Sequence, residues 1–302
     1  MACLDGLHSV LGALARTTEE SSAVGFIERS QAIDELEIHL LDLTQTLNDG
    51  GANQRLAELA TRVVTLRDRL QRINDSMVQR LRERIAAASI SPRELLTTFQ
   101  QYVRATRHDT RDAVEYDDLD ALVAGILSTD RIVDDGTVEL DPEMVPYQPT
   151  PARLILALLQ ELRPTERDVF VDLGSGLGTV PALVSLLTGA RAVGIEWHPN
   201  YYAHAQHCVR CLNLSSVSFV QQDARDADFS TGTIFYMFTP FKGTMLRDVL
   251  RRLDSEGRRR TIRLCTYGPL LREALRECAS FAMETNRRSD DSIAVFQSSP
   301  VA

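Results

Sequence analysis

The sequence predicts an α/β protein: a doubly wound, mostly parallel sheet preceded by an all-α N-terminal domain. Three observations lead there. Apolar residues recur at three- and four-residue steps through the first third of the chain. After residue 150 helical stretches alternate with short apolar runs, as in a parallel sheet covered on both faces. Between one such run and the next helix lies "LGSGLG", where Gly174, Gly176 and Gly178 crowd into one turn.

From Ile33 the residues Leu36, Leu40, Leu43 and Leu47 mark one helix face, and "NDGG" stops it. A second run follows through Leu56, Leu59, Val63, Leu66, Leu70, Ile73 and Met77. A short connection between two helices lays them side by side, so these form an antiparallel helical hairpin. Their stripe reads either as core or, through its two-sided heptad pattern, as a homodimer surface. "SPRE" starts a further helix: Ser91 accepts from a free backbone N–H, Pro92 suits the first turn and Glu94 completes a capping box. Asp117 or Asp118 caps the next one, and "RIVDDGTVEL" reads as a small hairpin around Asp135-Gly136. The boundary is expected near Asp141-Pro142, giving a helical domain at 1–140 and an α/β domain at 141–302.

In the second domain the expected order is helix 150–162, strand 168–173, helix 179–188, strand 191–196, helix 199–213, strands 216–221 and 233–238, helix 243–254, strand 260–266 and helix 269–279. "FAMETN" and "SIAVFQ" then form an antiparallel hairpin at the end of the sheet. In such sheets ligands sit at the carboxyl ends of the strands.

Composition narrows the function classes. The 302 residues are 44% hydrophobic and 25% charged, which suits a folded protein rather than a disordered one. No run reaches the roughly 18 apolar residues of a membrane span. Asp5 stands where a signal peptide would be positive, so no secretion signal is read and the cytoplasm is expected. Five cysteines, Cys3, Cys208, Cys211, Cys265 and Cys278, are odd in number and scattered, as free thiols are. The net charge of −9 disfavours bulk attraction to nucleic acid. His204, His207, Cys208 and Cys211 share one side of a helix, but a straight helix cannot wrap four ligands around a metal, and none is expected.

The glycine turn is spaced GxGxG, and the dinucleotide pattern would need its last glycine at Thr179. Asp172, just before the turn, would repel a pyrophosphate and favour a ligand carrying an ammonium or sulfonium charge. Glu196 ends the next strand, where an acid accepts both hydroxyls of a ribose. Asp223 follows the third strand, placed to accept from an adenine amino group. The pattern fits a cationic nucleoside.

"VDLGSGLG", "VGIEWHP" and "QQDAR", in that order, resemble the cofactor motifs of class I S-adenosylmethionine-dependent methyltransferases, from about Val145 to the end of the chain. "VPYQPTPARLILALLQEL" followed by "DVFVDLGSGLG" is similar, more narrowly, to the non-SET histone-lysine methyltransferases, the family named for disruptor of telomeric silencing. The resemblance implies a Rossmann-like fold and S-adenosyl-L-methionine as cofactor. Glu196 is then expected at the ribose, Asp223 at the adenine, and Asp172 with Gly174, Gly176 and Gly178 at the methionyl end, with Ser175 and Ala224 also cofactor-binding. Tyr147 and Thr150 belong to a loop covering that end, or to a Pro-rich linker capping the next helix; Trp197 walls the adenine or is core.

"TPFKG", after the fourth strand, is where this fold presents substrate-contacting groups. For an amine, the Thr239 hydroxyl and carbonyls near Pro240 would accept its hydrogens and the Phe241 face would stabilise the developing cation. "TPF" lacks the side-chain amide or acid of the amino-methyltransferase motif it resembles and departs from the histone-lysine family's loop; a turn around a buried Phe is the other reading. Tyr267 lines the same edge as a pocket wall or base, or is packed. The expected function is methyl transfer to a nitrogen of a protein side chain or small amine. The alternatives are a non-catalytic cofactor-binding protein that recruits partners through its helices and a nucleic-acid methyltransferase. A methyl-acceptor substrate is the expected partner, and no membrane.

Overall fold

The structure is a computed structural model and describes residues 23–50, 54–105, 116–129, 139–268, 275, 278–284 and 293–300. The chain divides into two compact units. The first holds the described residues of Met1–Glu83, Thr97–Arg107 and Asp117–Ile126; the second holds those of Arg84–Leu96, His108–Tyr116 and Leu127–Ala302. The division is therefore not a single cut at 140/141. Residues 84–96 count with the second unit, where Asn213 Nδ2 donates to the Ala86 carbonyl at 2.9 Å.

In the first unit α1 (Ala23–Gly50) and α2 (Gln54–Ala86) run side by side. Ile33, Leu36 and Leu43 interlock with Leu59, Val63 and Leu70, so the spacing of the sequence becomes the seam. Their pairing is fixed by a polar insertion: Arg29, 1% exposed, donates from Nε to Asn74 Oδ1 at 2.7 Å, and burial lowers its pKa. A one-turn slip would break this buried bond. Helix α3 (Pro92–Ala105) begins with the expected capping box, the Glu94 amide donating to Ser91 Oγ at 3.2 Å. Phe26 of α1 meets its Tyr102 edge-on at 5.6 Å. In α4 (Asp118–Leu127) the cap is Asp117, whose Oδ1 accepts from Leu119 at 2.8 Å.

The second unit follows as α5 (Ala152–Leu162), β1 (Val169–Leu173), α6 (Thr179–Thr188), β2 (Arg191–Glu196), α7 (Pro199–Cys211), β3 (Val217–Gln221), β4 (Ile234–Met237), α8 (Gly243–Arg259), β5 (Arg263–Tyr267), β6 (Phe281–Met283) and β7 (Ile293–Ser298). Its seven strands lie in the order β3-β2-β1-β4-β5-β7-β6, with β3 to β5 parallel and β7 antiparallel to both neighbours. Residues of β1 are buried throughout, as a strand covered on both faces requires. One face meets α8 through Val249, Leu250 and Leu253. Strand order reverses between β1 and β4, the switch point at which such sheets open a crevice.

Helix α8 outruns the expected residue 254. Its apolar stripe ends at Leu253, but Asp254–Arg258 and Glu256–Arg260 pairs carry the helix on, and Gly257 nestles where a Cβ would lie 2.7 Å from Ser280 Oγ. The expected β6–β7 hairpin is present. The hairpin around Asp135-Gly136 and most of the helix at 269–279 lie outside the described residues. Among the described cysteines, Cys208, Cys211, Cys265 and Cys278 are free thiols. No described helix is long and apolar enough to cross a membrane.

Candidate functional site

A cavity of about 300 Å³ opens at the carboxyl ends of β1, β2 and β4. Parallel register brings them level: Asp172 sits opposite Gly194 and Tyr236, and Leu173 opposite Ile195. Gly174 (φ 82), Gly176 (φ 53) and Gly178 (φ 83) all adopt left-handed backbone, which side chains disfavour by roughly 1–2 kcal/mol. The turn is tied down by the Gly174 and Ser175 amides, both donating to the Ile195 carbonyl.

Close neighbours account for the glycines. A Cβ on Gly174 would lie 2.4 Å from Pro240, and one on Gly176 would lie 2.1 Å from the Tyr147 ring. At Gly178 the neighbours are Phe219 and Ala205, at 2.5 and 2.9 Å, and Gly178 does not line the cavity. Its glycine serves the packing of α6 and α7 on the sheet. Ser175 lines the cavity and is buried.

Two acids stand beneath the turn. The Glu196 carboxylate clamps it, Oε2 accepting from the Gly176 amide at 2.6 Å and Oε1 from His198 at 2.7 Å. A carboxylate offers about four lone-pair sites, so acceptor capacity is left over for a ligand hydroxyl. Burial raises its pKa, and the two amides oppose that rise. Asp172 is wholly buried, and desolvation, followed by the charge of Glu196, holds its carboxyl well above the ordinary carboxylate range. A cation arriving there would be met by a carboxylate whose ionisation it favours.

At the far end Trp197 is 37% exposed and lines the cavity beside Ala224 and Asp223. Asp223 already has a partner: Arg225 donates Nη2 to Oδ2 at 2.8 Å and its amide to Oδ1 at 2.8 Å, which lowers the Asp223 pKa. An adenine amino group at Asp223 must share or displace that arginine.

The segment before α5 forms the outer wall. Thr150 does not cap the helix; its hydroxyl meets Tyr236 OH on β4 at 3.0 Å. Tyr147 lies over Gly176 and against Tyr201, ring centroids 5.2 Å apart, while Tyr201 stacks on the buried His198 at 4.2 Å.

At the other mouth stands the loop after β4. Thr239 holds φ 53, a sterically costly value for a β-branched residue, and its hydroxyl donates to the Tyr267 carbonyl at 3.3 Å. The Pro240 carbonyl accepts from the Val145 amide at 3.0 Å. Phe241 reaches the lining but is only 4% exposed and belongs to the core with Met245 and Leu246. The more open aromatic face is Phe238, against Tyr267 with centroids 5.1 Å apart, both on the cavity wall.

Residues 145–232 match the family model for histone methylation protein DOT1. The glycine cradle, the buried Asp172 and the amide-bound Glu196 fall within that span. Over that span the chain resembles S-adenosylmethionine-dependent methyltransferases. No curated protein sequence matches it. Among solved structures it is similar to an RNA methyltransferase from Salinibacter ruber in complex with S-adenosylhomocysteine, at 22% identity over 50% of this chain and 92% of that one, with a TM-score of 0.41. It is also similar to a precorrin-6y C5,15-methyltransferase from Geobacter metallireducens, at 17% identity over 56% and 97% of the two chains, with a TM-score of 0.39.

The residues of the cavity would fit S-adenosylmethionine: Asp172 for its positive end, Gly174 and Gly176 for close backbone approach, Glu196 for its hydroxyls. Sequence reasoning brings these together and also finds Trp197, Asp223 and Ala224 at the wall. It misses Tyr201, His198, Tyr236 and Phe238. Tyr236 and Phe238 bracket the end of a strand that reads simply as apolar, and Tyr201 stands in a helix whose histidines and cysteines are the more conspicuous pattern. The Arg225 partner of Asp223 is visible two residues away, as an Asx-type local pairing.

Proposed function

We propose that this protein is an S-adenosylmethionine-dependent methyltransferase that transfers the methyl group to a nitrogen, of a protein side chain or small amine. The observation that carries the reading is the aromatic pair Phe238–Tyr267, 5.1 Å apart at the cavity mouth beside the strained Thr239. S-adenosylmethionine supplies an electrophilic methyl on a sulfonium. The protein must aim a nitrogen lone pair at it and exclude water. Aromatic faces favour the cation that forms as nitrogen is alkylated. Thr239 Oγ keeps lone pairs to accept an amine hydrogen while donating its own to Tyr267. Phe238 thus takes the part that the sequence suggests for Phe241, which is committed to the core.

The test is a panel of primary amines, lysine- and arginine-containing peptides, alcohols and RNA incubated with methyl-labelled cofactor. Transfer to amines, reduced at least tenfold by Phe238→Ala and not by Phe238→Tyr, is expected. Labelling confined to hydroxyls or to nucleic-acid carbons would refute the assignment.

A further inference from the structure

One acidic side chain outside the cavity joins its two walls. Glu143 Oε1 accepts from the Thr244 amide at 2.9 Å and Oε2 from the Met245 amide at 2.7 Å, at the start of α8. These are orphan donors of a helix N-terminus, and the residue at the cap position, Lys242, provides no side-chain cap of its own. The cap is supplied from about 100 residues away. Those two amides, more than any other cause, lower the Glu143 pKa. Gly243 leaves room for it: at φ 62, a Cβ there would lie 2.2 Å from Glu143 Oε1.

The backbone repeats the connection. The Lys242 amide donates to the Glu143 carbonyl at 2.8 Å, Met144 bridges Phe241 in antiparallel fashion, and the Val145 amide donates to Pro240. Met144–Thr150, which carries Tyr147 over Gly176, is thereby fastened to the Thr239–Phe241 loop, whose Pro240 sits over Gly174.

We infer that Glu143 is a positioning residue: it latches the cofactor-covering strap Met144–Thr150 onto the acceptor loop Thr239–Phe241, so that cofactor retention and acceptor-loop order rise and fall together. The inference rests on the cofactor reading above, and its test separates the two. Glu143→Ala removes the latch. Adding Lys242→Asp places a carboxylate at the helix's own cap position, repairing α8 without rejoining the strap. Two readouts are used: the dissociation rate of S-adenosylhomocysteine and amide hydrogen exchange at Val145, Lys242, Thr244 and Met245.

In Glu143→Ala, dissociation is expected to quicken at least tenfold and protection at Val145 and Lys242 to fall together. Lys242→Asp should then restore Tm and protection at Thr244 and Met245 while dissociation stays fast. Recovery of slow dissociation along with Tm would reduce Glu143 to a helix cap and overturn the inference. So would unchanged Val145 protection in Glu143→Ala. Glu143→Gln, which keeps the shape and one acceptor, carries the same readouts if the alanine variant does not fold, with intermediate effects expected. Failure of the unaltered protein to bind S-adenosylhomocysteine would sink the cofactor reading, and the exchange readout would still decide the latch.

Discussion

Gly176→Ala is a demanding perturbation of this site because one atom must displace a ring. The new Cβ would lie 2.1 Å from Tyr147 Cε2 and 2.6 Å from Cδ2, well inside the 3.4 Å at which ordinary contact begins. Tyr147 must therefore retreat by roughly an ångström or more. The backbone cost is smaller: φ is +53, worth about 1–2 kcal/mol against alanine, partly offset by about 0.4–1 kcal/mol from a stiffer unfolded chain. Moving the ring also disturbs its packing on Tyr201, about 0.5–1.5 kcal/mol for an aromatic pair. The backbone cost is borne by free and bound protein alike, so only the lost ring packing bears on affinity, and it raises the Kd for S-adenosylhomocysteine by roughly 2- to 12-fold if strap closure contributes to binding. Calorimetric titration of Gly176→Ala, Tyr147→Ala and the double variant decides it. Because the clash vanishes with the ring, the double variant should bind about as Tyr147→Ala does, tighter than additive penalties allow by the whole Gly176→Ala penalty. Gly189→Ala serves as control: its φ is +75, yet its Cβ would meet nothing nearer than 3.5 Å, so stability should fall while affinity holds. Additive penalties, or unchanged affinity in Gly176→Ala, would refute the reasoning.

Three further outcomes are expected. Burial raises the folded-state pKa of both Asp172 and Glu196 above their ordinary 3.8 and 4.5, so the cofactor-free protein binds extra protons and loses that stability as pH rises from those values through the raised ones. A cationic cofactor reverses the preference, so its affinity should climb over the same window with proton release, measured by calorimetry in buffers of different ionisation enthalpy; proton uptake would contradict this. Arg225→Ala, by freeing Asp223 from a part-buried ion pair worth about 1 kcal/mol, should tighten cofactor binding up to about fivefold, and weaker binding would show that Arg225 itself holds the ligand. With an amine acceptor in hand, Thr239→Gly should relieve the strained backbone and leave Tm level or higher while methyl transfer falls at least tenfold, and Thr239→Ser should retain most of the activity.

The acids and glycines around the cavity are legible in the sequence because they lie at strand ends, where an apolar run gives way to a turn and leaves a short polar signature. Asp172, Glu196 and Asp223 each stand at or just past the end of such a run, and glycines clustered between a strand and a helix signal close backbone approach. The helical hairpin is legible for a related reason: α1 and α2 touch through residues spaced three and four apart, so local pattern and tertiary contact coincide. The acceptor side is less so. Whether Phe238 or Phe241 faces the cavity depends on the left-handed turn at Thr239, which no propensity favours. The Glu143 latch joins residues about 100 positions apart, and Thr150 bonds Tyr236 at a separation of 86, so only the fold could reveal either. Arg29 also reads as a surface residue until Asn74 is seen beside it.

The most direct test of the central claim is calorimetric titration with S-adenosylmethionine and S-adenosylhomocysteine, comparing the unaltered protein with Glu196→Ala. One-to-one binding is predicted, weakened roughly 10²- to 10⁴-fold in the variant, because two charge-assisted hydrogen bonds of about 1.5–3 kcal/mol each lose their acceptor. Absence of binding, or equal affinity in the two proteins, would contradict the placement of the cofactor in this cavity.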